Sequence, residues 1–207
     1  MSKKLARFIS FVFHPLLMPT YAILLLINMN SYLAYSMPPE LQRIVLGIIF
    51  FTTFALPFLM AMFYIQKGMV SNIYMVNAKE RTLPYLTAAI FYFGGYYLLT
   101  QLPIPRLFSW VILAAAVSII VASLINVKWK ISIHMLGVGA LGGLIFSLPQ
   151  LMLIEVFRPF VLVILLAGII GTARLVSGRH TIGQISAGYI LGFTLEWLVL
   201  RYSDLLI

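Results

Sequence analysis

The chain has 207 residues, of which 62% are hydrophobic and only 9% are charged, and its formal net charge is +9. Soluble globular domains carry far more charge, so this composition excludes a soluble domain and predicts an integral membrane protein. The chain contains no cysteine, which excludes disulfides, a thiolate nucleophile and a sulfur-ligated metal.

Apolar runs long enough to cross a bilayer recur along the chain. A helical crossing needs about 20 residues, and we predict seven, at 8–30, 42–65, 84–100, 107–126, 131–148, 153–172 and 182–200. Backbone groups in lipid must pair within their own segment, so these runs are helices. The predicted fold class is an all-α integral membrane protein, a multi-span bundle of about seven transmembrane helices that forms a single domain over 1–207.

The basic residues lie in short loops between the runs and not on one polar face. We interpret them as a positive-inside bias with attraction to anionic lipid headgroups, and we expect no nucleic-acid partner. The N-terminus and the second, fourth and sixth loops hold ten lysines and arginines, against four on the other side. This count predicts that those loops face the cytoplasm, in a multi-pass protein of a bacterial cytoplasmic membrane.

The unusual polar residues fall in three loops that an even number of intervening spans places on one membrane face. They are Lys79 and Arg81 after the second run, Ser132 and His134 at the start of the fifth, and Arg174, Arg179 and His180 before the seventh. The planar fork of arginine suits phosphate oxygens, and lysine supplies a point charge. Charges are costly to place beside a bilayer, so the pattern favours a site for a polyanion.

Glycines cluster in the last three runs, where Gly188-x-x-x-Gly192 permits close helix approach. We predict that these runs form a tight core that positions the loop residues. His14, beside Pro15, is interpreted as a hydrogen-bonded packing residue. Glu196 lies about 24 Å beyond His180 along a helix, too deep to assist the loops.

The last polar stretch resembles the signature of the type 2 phosphatidic acid phosphatases and their vanadium haloperoxidase relatives. That signature reads K-x6-R-P, then P-S-G-H, then S-R-x5-H-x3-D. Ala173-Arg174, His180 and Gln184 reproduce the spacing of the third element, with glutamine in place of the aspartate.

The other two elements match in part. "ISIH" keeps the serine and histidine of the second element as Ser132 and His134, without its proline and glycine. "KERTLP" offers Lys79, Arg81 and Pro84 for the first element at a compressed spacing. The resemblance covers about residues 79–192.

The resemblance implies a membrane lipid-phosphate phosphatase that needs no metal and no cofactor. His180 would be the nucleophile that forms a phosphohistidine, and His134 the general acid that protonates the leaving oxygen. The phosphoryl oxygens would be held by Arg174, Lys79, Arg81 and Ser132. Arg179 lies outside the signature, and we expect it at the phosphate or the lipid headgroup.

Gln184 departs from the signature at a position with a catalytic role. A carboxylate there would hold the imidazole tautomer and stabilise the imidazolium, as aspartate does in serine-protease triads. The neutral amide of Gln184 can still accept a hydrogen bond from the N–H of the His180 ring. Glu80 is a candidate substitute for the missing acid.

Two functional interpretations of different class therefore stay open. In the first, the chain is an enzyme acting on a lipid phosphate such as phosphatidate, phosphatidylglycerophosphate or a polyprenyl pyrophosphate. In the second, it is a catalytically degenerate relative that binds or transports a lipid phosphate without hydrolysing it. A third possibility is a packing bundle with incidental basic loops.

Overall fold

The computed structural model describes residues 1–29, 35–72, 75, 78–152 and 155–203. These residues form helices and no β-strand. In chain order the helices are α1 (Lys3–Val12), α2 (Met18–Asn28), α3 (Pro39–Phe50), α4 (Leu56–Gln66), α5 (Ala78–Thr100), α6 (Leu107–Asn126), α7 (Ile133–Met152), α8 (Phe157–Val176) and α9 (Ile182–Tyr202). A short 3₁₀ helix (Pro15–Leu17) precedes α2, and a π-helical segment (Phe51–Ala55) joins α3 to α4.

Six helical segments are long and apolar enough to cross a membrane, which confirms the multi-span helical fold class. They cover Lys3–Asn28, Pro39–Gln66, Leu107–Asn126, Ile133–Leu151, Phe157–Val176 and Ile182–Tyr202. The run predicted at 84–100 is helical, as part of α5, but α5 is not among the six. Its lower apolarity comes from its tyrosines and glycines and from the charged residues of its first turn.

The first predicted run, 8–30, overlaps one candidate span, Lys3–Asn28, which contains a local break. α1 ends at Val12, and the 3₁₀ helix begins at Pro15 with His14 as its N-cap. Proline lacks a backbone N–H and disfavours the helical conformation of the preceding residue, so the chain leaves the helix at His14. The His14 ring accepts a hydrogen bond at Nδ1 from the Leu16 amide, at 3.3 Å.

The described chain divides into two compact units. The first contains residues 1–18 and the described part of 131–207, and thus α1, the 3₁₀ helix, α7, α8 and α9. The second contains residues 19–130, with most of α2 and all of α3 to α6.

Helices α7 and α9 form the tight core of the first unit, as the glycine pattern predicts. Gly188 lies against Ser132 and Met135, and Gly192 lies against the backbone of Leu136 and Ala140. Gly143 in turn lies against the backbone of Phe193. These pairs advance together along both helices, so α7 and α9 run parallel. The missing side chains let the two backbones approach closely.

In the second unit α5 and α6 form an antiparallel hairpin. The rings of Tyr96 and Trp110 lie 6.3 Å apart near the connection. At the other end, Nη1 of Arg81 donates to Oδ1 of Asn126 at 3.4 Å. The two contacts are separated by 15 residues on α5, or about 22 Å of helix, so the helices lie side by side over most of their length.

Candidate functional site

Ser10 of α1 joins two of the predicted site residues. Nε2 of His134 lies 3.0 Å from the Ser10 carbonyl oxygen. Nη1 of Arg174 donates to the Ser10 hydroxyl oxygen at 3.2 Å. Helices α1, α7 and α8 therefore bring together residues that are as many as 164 positions apart in sequence.

The Ser10 contact defines which nitrogen of His134 carries hydrogen. A carbonyl oxygen can only accept a hydrogen bond, so Nε2 must be the N–H donor. In the neutral ring Nδ1 then holds the lone pair, and in the imidazolium it holds the second proton. Nδ1 is therefore the atom through which His134 can exchange a proton while its bond to Ser10 is kept.

His14 belongs to the same cluster, which the sequence interpretation missed. Its ring and that of His134 meet edge to face, with centroids 5.9 Å apart and planes at 73°. Both rings also interact electrostatically with Arg174. The His14–Pro15 pair inside an apolar run was the available signal, because broken transmembrane helices commonly mark ligand sites.

His180 and Arg179 lie in the short connection between α8 and α9. Gly178 adopts a positive φ of 64°, and its amide donates to the Leu175 carbonyl at 2.8 Å. This is a glycine-based helix end, and it turns the chain sharply after Arg174. The turn leaves Arg179 and His180 half-buried, and His180 interacts electrostatically with His134.

Gln184 caps α9 instead of pairing with the His180 ring in this structure. Its Oε1 accepts from the Thr181 amide at 3.2 Å, while the Thr181 hydroxyl oxygen accepts from the Gln184 amide at 3.4 Å. This reciprocal pair is a capping box, which satisfies two of the unpaired amides at a helix start. His180 precedes the N-cap Thr181 and lies outside α9, so the Gln184 side chain stabilises the start of α9.

The Gln184 backbone contributes to the site in another way. Its carbonyl oxygen accepts from the Ser132 amide at 3.2 Å, which ties the start of α7 to the first turn of α9. The Ser132 hydroxyl oxygen is fully buried and has no hydrogen-bond partner among the described residues. A buried hydroxyl of this kind is a candidate contact for a ligand, because unpaired polar atoms are costly to bury.

The remaining predicted residues belong to the second unit. Arg81 is buried, and besides its bond to Asn126 it donates from Nε to the Met75 carbonyl at 2.7 Å. The Glu80 carboxylate, our candidate substitute acid, accepts from the Ser71 hydroxyl at 2.8 Å. Lys79 is the second residue of α5, but its side chain lies outside the described part of the structure.

The chemistry of the cluster in the first unit suits an anion. Arg174 supplies a permanent charge, and the three imidazoles can each add charge or donate hydrogen bonds. Within the ranges that the structure describes, no three His, Cys, Asp or Glu side chains are grouped so that they could hold a metal ion. A phosphate group, with several acceptor oxygens, is the kind of ligand that such donors recognise.

Comparisons of the chain with family models, with curated proteins and with solved structures give no match. The fold therefore defines the class of protein, a helical protein with several membrane-spanning segments. Its activity has to be inferred from the residues of the cluster and their geometry.

Proposed function

We propose that the protein is a metal-independent lipid-phosphate phosphatase that works through a phosphohistidine at His180. The observation that carries the proposal is the joining of His134 and Arg174 through Ser10, in the unit that also contains His180. These three residues also occupy the histidine and arginine positions of the second and third signature elements. An arginine beside two imidazoles matches the needs of phosphoryl transfer, which depends mainly on positioning and charge stabilisation.

Each residue has a defined step in the proposed reaction. A ring nitrogen of His180 attacks phosphorus, and the bond from phosphorus to the leaving oxygen breaks. His134, protonated at Nδ1, gives that proton to the leaving oxygen, which departs as a lipid alcohol or a lipid monophosphate. His134, now neutral, accepts a proton from water as the water attacks phosphorus and breaks the N–P bond. This step releases inorganic phosphate and restores both rings.

Substrate binding would use the other polar groups. Arg174 and the Ser132 hydroxyl would hold the phosphoryl oxygens, with Arg179 as a further contact. The apolar spans favour a substrate with lipid chains, and phosphatidate, phosphatidylglycerophosphate and polyprenyl pyrophosphate share the phosphate that the cluster would recognise. We place the protein in a bacterial cytoplasmic membrane.

A second candidate function is supported by the position of Gln184. Its amide oxygen caps α9, so His180 receives no carboxylate from the position where the signature has one. The break in the first span is also a feature of transporters, which bind substrates at discontinuous helices. In this alternative the same cluster binds or transports a lipid phosphate and does not hydrolyse it.

Phosphate release by the purified protein in detergent separates the two functions. We expect release from at least one lipid of a panel containing phosphatidate, phosphatidylglycerophosphate and a polyprenyl pyrophosphate. His180→Ala should lower it by about 10³-fold or more, because the nucleophile is lost. Lys128→Ala is the matched control, since Lys128 is an exposed cation of the second unit, and it should retain full release.

Two results would contradict the phosphatase proposal. The first is full phosphate release by His180→Ala. The second is binding of these lipids by the wild-type protein without release from any of them, which favours the binding or transport function.

A further inference from the structure

A carboxyl group lies inside the core of the first unit, well away from the histidine cluster. Glu196 is 2% exposed, and it is the only acidic residue of α9. It follows the start of α9 at Ile182 by fourteen residues, or about 21 Å of helix. The proposed phosphatase reaction does not use it.

The surroundings of Glu196 offer little to an ionised carboxylate. Its Cβ packs against Gly143 of α7, at 3.1 Å from the position that a Cβ on that glycine would take. Its Oε1 is buried without a hydrogen-bond partner among the described residues. Ser147, one turn further along α7, donates its hydroxyl hydrogen to the Gly143 carbonyl at 2.8 Å.

In the described parts of the helices packed against α9, the charged and titratable residues lie near the helix ends. The one titratable residue of α7 is His134, in its first turn, and the arginines of α8 are Arg158 and Arg174, near its two ends. On α9 itself, the Tyr189 hydroxyl and the Trp197 indole nitrogen are also buried without partners among the described residues. An unpaired carboxylate in such a place costs several kcal/mol, and a bound proton removes that cost.

We propose that Glu196 is a proton-binding site of the membrane interior, which holds a proton at neutral pH and exchanges it with the solution. An acid inside a membrane helix is costly and usually serves proton or ion movement. A proton is a better fit than a metal ion, because the described residues offer no group of acidic or imidazole ligands around the carboxyl. The site is independent of the proposed phosphatase activity.

Labelling with dicyclohexylcarbodiimide tests this site in the full-length protein, reconstituted in phosphatidylcholine vesicles. This apolar reagent adds to protonated carboxylic acids in apolar surroundings. Trypsin cleavage after Arg179 and Arg201 yields the peptide 180–201, in which Glu196 is the only side-chain acid. We expect an adduct on this peptide at about pH 6 and several-fold less at about pH 9, because the ionised form does not react.

The controls use groups of the same chemistry in other surroundings. Glu40 and Glu155 are exposed, so they should react with a water-soluble carbodiimide and an added amine, but only weakly with the apolar reagent. Glu196→Gln should remove the adduct from peptide 180–201, and unfolding in dodecyl sulfate should reduce it in the wild type. No adduct on this peptide, the same yield after unfolding, or a yield that is unchanged between about pH 6 and pH 9 would overturn the proposal.

Discussion

Ser10 is the residue on which the geometry of the cluster depends most directly. Its carbonyl orients His134 and its hydroxyl orients Arg174, so one residue of α1 positions an imidazole and a guanidinium. Only the hydroxyl can be removed by substitution, since the carbonyl belongs to the backbone. Substitution of Ser10 therefore tests the role of Arg174 in the cluster without removing the contact to His134.

Ser10→Ala should weaken phosphate binding more than it slows the chemical step. Without the hydroxyl, the Arg174 guanidinium loses an acceptor, and a hydrogen bond from a charged group contributes about 1.5–3 kcal/mol. We expect KM for the lipid phosphate to rise about ten-fold, with a smaller change in kcat.

The control for this variant is Ser2→Ala, at the other end of α1. Ser2 accepts from the Leu5 amide as the N-cap of the helix, so its loss affects α1 without touching Arg174. An equal rise in KM for both variants would show that α1 acts only through its stability.

Gln184 shows why a signature position does not determine a contact. It follows His180 by four residues, but His180 precedes the N-cap Thr181 and lies outside α9, so the two side chains do not share a helical face. The Gln184 side chain bonds to the Thr181 amide, because an N-terminal turn has unpaired amides that a nearby oxygen satisfies at low entropic cost. The local capping partner competes with the catalytic partner for the same side-chain oxygen.

Among the helices, the parallel pair α7 and α9 has the least tolerance for added volume. A Cβ on Gly188 would come within 2.5 Å of the Ser132 carbonyl oxygen, and one on Gly192 would overlap the Leu136 carbonyl. Backbone atoms are the obstacle at both positions, so a change of side-chain rotamer cannot relieve the overlap.

Gly192→Ala should therefore destabilise the protein by several kcal/mol. We expect a lower unfolding temperature in detergent and a loss of phosphate release, because α9 and α7 begin at the site. Gly168→Ala is the matched control: this glycine of α8 has nothing within 4 Å of its added Cβ. The Gly168 variant should unfold at the wild-type temperature or above it, since alanine favours helix. If both variants unfold alike, close packing of α7 and α9 is not what Gly192 provides.

At the scale of the whole chain, the number of membrane crossings depends on α5. It is the long helix that falls outside the six apolar segments. Its contacts at Tyr96 and Arg81 nevertheless hold it alongside α6 over about 22 Å. The hydrocarbon core of a bilayer is about 30 Å thick, so a helix held alongside α6 over this length lies within the membrane too. We therefore expect α5 to cross the membrane as well.

Seven crossings would place the two ends of the chain on opposite faces of the membrane. Single cysteines are informative because the chain has none of its own, and the exposed Lys4 and Tyr202 are suitable positions. In intact cells, an impermeant thiol reagent should label Tyr202→Cys and not Lys4→Cys, as the positive-inside count predicts. Labelling of Lys4→Cys alone would invert the orientation, and equal labelling of both would indicate six crossings.

The membrane class, the positions of the helices and the close approach at Gly188 and Gly192 follow from the sequence. These are properties of single segments. An apolar run partitions into lipid, where its backbone groups must form hydrogen bonds within the same helix. A glycine lets a neighbouring helix approach closely wherever it lies in the segment. The first span is confirmed, but its local break at His14 and Pro15 was not predicted, because two residues change the mean hydropathy of the run very little.

Which residues make up the histidine cluster could not be predicted from the sequence, because it depends on packing between distant parts of the chain. Spacing could place Arg174 and His180 near each other, but nothing local indicates that Ser10, 164 residues before Arg174, bonds to it. The same holds for His14, whose ring meets that of His134 across two helical elements. Which faces of α1, α7 and α8 meet depends on the fit of whole helices, which only the tertiary structure decides.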